Sequence, residues 1–301
     1  MKTALVLGIT GNFGSEMAKA LASQDWQIKT IVRNRQKLNE SQLGFDILEG
    51  DFQDAATLQA ATEGVELIVY AVNPPYPQWH SQALAMLEPV AQLAQQKRLQ
   101  ILFPGNVYNF SLSDTPIAES APAQPVAAKG KIRAAMETRL QQASQSGAKV
   151  TIIRAGDFLG QHGQWLNMML KKKPNHYLMR FPHGAEHQHF WSYLPDLCAN
   201  AAKLIERQTE LFEIWHDPGL VLTQEDWRQA FEQNGYALKI TRFPWWQFSL
   251  LSYFVPLIRE VLEMKYLWDK TLILDGSKLK TELGEQCQQT KLDSIVKQLM
   301  V

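Results

Sequence analysis

The sequence predicts an α/β protein built on a doubly wound parallel sheet, with a smaller C-terminal lobe. Three observations carry this expectation. Apolar runs of strand length alternate with helical stretches through the first half of the chain. The first run, residues 4–7, passes directly into Gly8, Gly11 and Gly14 and then into a helix over 15–21. The 301 residues suffice for one large core and an added lobe.

Charge and composition narrow the function. Thirty basic and thirty acidic residues cancel, so the electrostatic footprint of a nucleic-acid binder is missing. Cys198 and Cys287 are far apart and make neither a disulfide framework nor a metal knuckle, which suits a reducing, cytoplasmic setting. The glycine turn cuts the first apolar run too short for a signal peptide. Polar residues and Pro256 interrupt residues 245–258, so no integral membrane segment is expected.

In chain order, the strand–glycine–helix unit comes first. Glycines allow the backbone to approach a pyrophosphate, and a helix N-terminus offers N–H groups and partial positive charge. Gly8, Thr10, Gly11, Asn12, Phe13 and Gly14 are therefore candidate cofactor contacts, preferred over a tight turn that binds nothing. Residues 26–32 form the second strand. No acid follows it between residues 27 and 38; Arg33, Arg35 and Lys37 stand there instead. Dinucleotide sites place an acid here for a free ribose hydroxyl, so the basic cluster favours NADP, with NAD the alternative. The third strand, 45–49, leads to Asp51 and Phe52, candidates to flank the adenine. Asp54 caps a helix over 55–63. The buried strand 65–71 ends at Ala71, Val72 and Asn73, which are placed along the cofactor's midsection. A helix over 79–97 and a fifth strand over 99–103 complete the alternation.

These pieces resemble the short-chain dehydrogenase/reductase superfamily, in its extended or atypical branch, the NAD-dependent epimerase/dehydratase-like proteins. The matching segments are TALVLGITGNFG, LEGDFQD, LFPGNVYNF, KGKIRAAME, VTIIRAGDFLG, FWSYLPDLC and DGSKLKTELG, in the family's order. The resemblance implies a Rossmann-type core over 1–155. It also implies a mainly substrate-binding lobe over 156–301, with segments near 190–216 returning to the core. Family enzymes use a Tyr-x-x-x-Lys pair and a Ser or Thr ending the fifth strand. Neither is present here. Aligning the glycine and glutamate beyond the tyrosine puts Lys129 and Arg133 at the two positions, with Gly130 and Glu137 matched. A second register puts Ala127 and Lys131 there and loses the glutamate.

Lys129 and Arg133 lie four residues apart and share a helix face. Arg133 stays protonated and suits an anchor for ribose or phosphate. Lys129 is a candidate acid or base because neighbouring cations lower a lysine pKa; the plainer reading makes it a cofactor contact. Tyr108 is the other candidate proton donor. Asn106, Tyr108, Asp157 and Trp191 are candidate substrate contacts. His183, His187 and His189 suggest a metal, but no cysteine completes a set and no metal is expected. Trp165, Met168 and Met169 face a pocket or the core, with core the preferred reading.

Further strands are expected over 191–194 and 211–216. Helices are expected over 197–206, over 224–233 capped by Thr223, and over 292–300. Residues 243–268 are unusually aromatic. Buried lobe core is the leading reading; a lid, a homodimer interface or a membrane-surface patch are the others, and the scarcity of basic residues before Arg259 counts against the last. Two functions remain. One is an NADP-dependent oxidoreductase or epimerase/dehydratase-like enzyme acting on a small hydroxyl- or carbonyl-bearing substrate through a rewired site. The other is a non-catalytic dinucleotide-binding sensor or interaction module.

Overall fold

In the computed structural model, the first half of the chain builds six strands and the helices that join them. The strands are β1 (Thr3–Leu7), β2 (Gln27–Val32), β3 (Asp46–Glu49), β4 (Leu67–Tyr70), β5 (Gln100–Asn106) and β6 (Lys149–Ala155). The helices are α1 (Asn12–Ala22), α2 (Ala55–Ala61), α3 (Trp79–Lys97) and α4 (Ala128–Gln145). The second half adds β7 (Asp157–Leu159), α5 (Gln164–Met169), β8 (Leu170–Lys172), β9 (Tyr177–Phe181), β10 (His189–Tyr193), α6 (Leu194–Arg207) and β11 (Phe212–His216). It continues with β12 (Leu220–Leu222), α7 (Gln224–Gln233), β13 (Leu238–Arg242), α8 (Trp245–Leu251), α9 (Pro256–Glu263), α10 (Tyr266–Asp269), α11 (Ser277–Leu283) and α12 (Leu292–Leu299). The structure describes residues 2–160, 164–182, 184, 187–269 and 271–300.

The central sheet has seven parallel strands in the order β11-β6-β5-β4-β1-β2-β3. All five residues of β1 are buried, as a strand covered on both faces requires. In register, Val6 lies beside Thr30 of β2 and Val69 of β4. The winding direction reverses between β1 and β4. A parallel sheet opens its ligand crevice at that point, beyond the strands' carboxyl ends.

Helix α1 begins at Asn12, three residues before the sequence pattern suggests. Phe13, Met17, Ala18 and Leu21 share its buried face, each large side chain contributing roughly 1.5–3 kcal/mol on burial. Gly14 sits within the helix because a Cβ there would meet the Gly8 carbonyl oxygen at 2.3 Å. Gly8 itself has φ +85°, and its Cβ would meet the Ala71 oxygen at 2.6 Å. Both glycines are thus fixed by close backbone approach.

Two three-stranded sheets, β12-β10-β7 and β13-β9-β8, form in the second half. Strands β8, β9 and β13 were not legible in the sequence pattern. Segment 243–268 corrects the buried-core expectation: Phe243, Met264, Leu267 and Trp268 are buried, but Trp246, Leu250, Tyr253, Phe254 and Leu257 are exposed. No helix among the described residues is long and apolar enough to cross a membrane.

Candidate active site

A cavity of about 610 Å³ opens at the switch point between β1 and β4 and runs to the ends of β5 and β6. Its first wall is the glycine turn: Gly8, Thr10, Gly11, Asn12 and Phe13 line it. Gly11 is the N-cap of α1, which has no side-chain cap and no acid in its first turn. The helix end is therefore left to an incoming anion. A Cβ on Gly11 would come no nearer than 3.3 Å to the protein. That contact, with the Gly8 carbonyl oxygen, is tight but well short of the clashes at Gly8 and Gly14, and Gly11 also lines the cavity. Ala71, Val72 and Asn73 line the opposite wall and Arg33 stands at the rim. An adjoining recess of about 550 Å³ shares Thr10, Gly11 and Asn12 and carries Lys37.

The far end is polar. Asn106, Tyr108, Arg133 and Asp157 line it, joined by Tyr70, Tyr76 and Trp165. The Tyr76 and Tyr108 hydroxyls are 3.3 Å apart. Burial, the Tyr76 hydroxyl and the charge of Asp157 push the Tyr108 phenol well above its ordinary range, so it stays protonated at neutral pH. Burial likewise raises Tyr76. Asp157 is held from behind by His189, whose Nε2 lies 2.7 Å from its carboxylate. His189 in turn stacks on Trp268 at 3.6 Å. Arg133 is buried over the Phe103 ring, 4.3 Å from its centroid, and donates to the Pro104 carbonyl. Burial lowers its pKa, opposed by Glu137. Its Nε and the buried Tyr70 hydroxyl have no hydrogen-bond partner among the described residues. Orphaned buried polar atoms call for a ligand or water, and a ribose edge would satisfy both.

Several expected residues stand elsewhere. Gly14 packs against Gly8 and does not line the cavity. Asp51 and Phe52 follow β3 but do not line the cavity; the Asp51 carboxylate accepts the Gln53 N–H at 3.0 Å. Trp191 is fully buried between Trp227 and Trp268 and is core, not a substrate contact. Lys129 is corrected most clearly. It is 2% exposed and absent from the cavity wall. Its ammonium is bound by Glu260 and, at 2.5 Å, by Glu263 of α9. The cationic surroundings expected for it are replaced by two carboxylates. Glu263 also accepts the Ala128 N–H at 2.6 Å, capping α4. Of the pocket and core readings of Trp165, the structure favours the pocket: it is half-buried and lines the cavity. Tyr76 was missed, although its place just beyond the end of β4 puts it on the ligand side of the sheet. The histidine at 183 lies outside the described residues. Among the described residues no three His, Cys, Asp or Glu side chains cluster as a metal set would.

Fold and cavity together define a protein of the doubly wound Rossmann type, with a cavity at the switch point where that fold takes a dinucleotide. More particularly, the chain belongs to the family described as NAD(P)H-binding, which matches residues 8–176. No curated protein sequence matches it. Among solved structures, a putative epimerase from Burkholderia cenocepacia is similar with TM-score 0.77 and 17% identity, covering 100% of this chain and 99% of that one. The dTDP-glucose 4,6-dehydratase of Bacillus anthracis, in complex with NAD, gives 0.73 and 14%, covering 99% and 96%. The UDP-Glc/GlcNAc 4-epimerase of Campylobacter jejuni gives 0.72 and 15%, covering 99% and 98%. At these identities the likeness is one of fold.

Proposed function

We propose that the protein is an NADP-dependent oxidoreductase, or an epimerase/dehydratase-like enzyme, acting on a small hydroxyl- or carbonyl-bearing substrate. The observation that carries this reading is the pair of protonated tyrosine hydroxyls at the polar end of a cavity whose other end is the glycine turn. Bound nicotinamide would supply or accept a hydride there. The chain's own part is threefold. The Gly11 backbone at the cavity wall and the uncapped α1 end receive the pyrophosphate. Arg133 Nε and the Tyr70 hydroxyl hold the adjoining ribose. Tyr108, partnered by Tyr76, donates a proton to the substrate oxygen as it becomes an alkoxide. Asp157, oriented by His189, accepts a hydrogen bond from a second substrate hydroxyl. Arg33 and Lys37 favour the 2′-phosphate of NADP. The division into a cofactor-binding part over 1–155 and a mainly substrate-binding part beyond it follows from the same assignment.

A second reading, a non-catalytic dinucleotide sensor, is favoured by α4 carrying no tyrosine and by Lys129 being occupied with Glu260 and Glu263. Fluorescence titration with NADPH, NADH and the oxidised forms separates the two. Tight NADPH binding that Arg33→Ala weakens about tenfold relative to NADH, with turnover in a carbonyl-substrate screen, supports the enzyme. Binding with no turnover, and a strong preference for one redox state, supports the sensor. No binding of any form removes both.

A further inference from the structure

Helices α8 and α9 meet at the turn 252–255 and present an apolar tip to solvent. Phe254 is 85% exposed, Tyr253 79% and Trp246 66%, with Leu250, Leu251 and Leu257 beside them. The inner side of the tip is anchored. Trp245 Nε1 donates to the Pro182 carbonyl at 2.7 Å, and α9 is tied to Lys129 through Glu260 and Glu263. The exposed side chains therefore belong to a fixed surface.

We propose that this tip docks on the surface of an anionic lipid bilayer. Clustered exposed apolar side chains of this size mark an interaction site, and the mixture of Trp, Tyr, Phe and Leu suits the boundary between headgroups and acyl chains. No ionised side chain occurs from 243 to 258, and the charges bracketing that stretch are Arg242 and Arg259. The first acids beyond it, Glu260 and Glu263, are turned onto Lys129. Arg259, whose guanidinium donates to the Ser252 carbonyl at 3.5 Å, stands beside the turn and complements anionic headgroups, while the apolar tip supplies most of the attraction; few basic residues are needed. A second copy fits less well. Two-fold pairing lays the same patch against itself, bringing Arg259 of each copy to one seam, while the nearest acids of α9, Glu260 and Glu263, are engaged with Lys129. The tip also adjoins the cavity mouth: the Trp245 and Trp165 rings are 6.5 Å apart, and Trp165 lines the cavity.

The test is co-sedimentation of the full chain with phosphatidylcholine vesicles, with and without phosphatidylglycerol. The protein should pellet with the mixed vesicles. Leu250→Asp combined with Phe254→Asp should lower the pelleted fraction about tenfold or more, and Arg259→Gln should reduce the preference for phosphatidylglycerol. The substituted side chains face outward, so NADPH affinity and thermal unfolding should match the parent. In the unaltered protein, brominated lipids should quench a fluorescence component that Trp246→Phe removes, a readout independent of any folding defect in the double variant. Absence of pelleting with both vesicles overturns the proposal. So does unchanged pelleting of the double variant. A dimer in sedimentation equilibrium that the double variant dissociates assigns the face to a second copy and overturns it too.

Discussion

At the β1–α1 turn the wall of the cavity is backbone; at the ends of β5, β6 and β11 the molecule is held by buried charged and polar side chains. The first region is specified by absence. Gly8, Gly11 and Gly14 let carbonyls, helix and ligand approach closely. The second is specified by pairing. Arg154 and Glu137 meet at 2.7 Å beneath β6. His216 Nδ1 lies 3.0 Å from the Ile117 carbonyl, and its Nε2 lies 3.3 Å from Arg154. Asp157 pairs with His189, and Lys129 with two glutamates. Backbone packing is insensitive to pH and intolerant of volume. Buried pairs have the opposite weaknesses.

The glycines offer the largest test, because they divide by function. Gly14→Ala should cost ~3 kcal/mol or more, since its Cβ would lie 2.3 Å from a main-chain oxygen that cannot yield. Gly11→Ala, whose Cβ would lie a looser 3.3 Å from the Gly8 oxygen, should cost clearly less in stability yet weaken cofactor binding more than about tenfold, since Gly11 lines the cavity. Urea unfolding and NADPH titration of both variants read the two effects. Equal loss of stability in both would mean that Gly11 serves packing alone.

Acid and base should strain only the second region. Burial and the Arg154 cation depress His216 to about 3, while burial raises Asp217 to about 7. For His216 the folded pKa lies below the unfolded value near 6.5. Its stabilising contribution is present above that value and lost as pH falls toward 3. For Asp217 the folded pKa lies above the unfolded 3.8. Its contribution is present below 3.8 and lost as pH rises through 7. Each is on the order of a few kcal/mol, and the two oppose each other between about 4 and 6.5. Asp217→Asn should therefore make stability climb with pH across that window, and His216→Asn should make it fall. Denaturation at several pH values measures the slopes. Parallel curves for parent and both variants would show that neither group titrates with unfolding.

Tyr108 tests the polar end as chemistry rather than packing. Tyr108→Phe should lower kcat about 10²-fold or more with NADPH affinity unchanged, and Tyr76→Phe about tenfold. Equal turnover in parent and Tyr108→Phe would leave the tyrosine pair without a part in proton transfer.

The same contrast explains what could be read from the chain. The glycine turn, the alternation of strands and helices and the missing acid after β2 are local patterns, each set by neighbours in sequence. The polar end draws Tyr76, Tyr108, Arg133, Asp157 and His189 from five separate segments, and no local period brings them together. Tyr108, Arg133 and Asp157 were legible because each lies at a strand end or on the helix after β5. Tyr76 was not singled out: its place just beyond β4 puts it on the ligand side of the sheet, but that position alone does not tell a loop tyrosine at a cavity from one in solvent. Trp191 misled because an aromatic in a strand looks alike whether it faces a pocket or another tryptophan. The small sheets escaped because their strands are short and, apart from the β8–β9 hairpin, pair with segments distant in sequence, as β9 does with β13.

Lys129 marks the boundary between the two readings. Its sequence neighbours Lys131 and Arg133 suggested a cationic cluster, but Lys131 is exposed and Arg133 turns to the Pro104 carbonyl. The residues that decide its role come from α9, more than a hundred positions away. Lys129→Met leaves Glu260 and Glu263 facing an apolar side chain. Both carboxylates are partly solvated, so the cost should be about 2 kcal/mol rather than the larger penalty of a fully buried broken pair. NADPH affinity should stay within about threefold, because the lysine does not line the cavity. If Lys129→Met abolished turnover at unchanged stability and affinity, the lysine would belong to the chemistry, and α9 would be a gate on the site rather than its fastening.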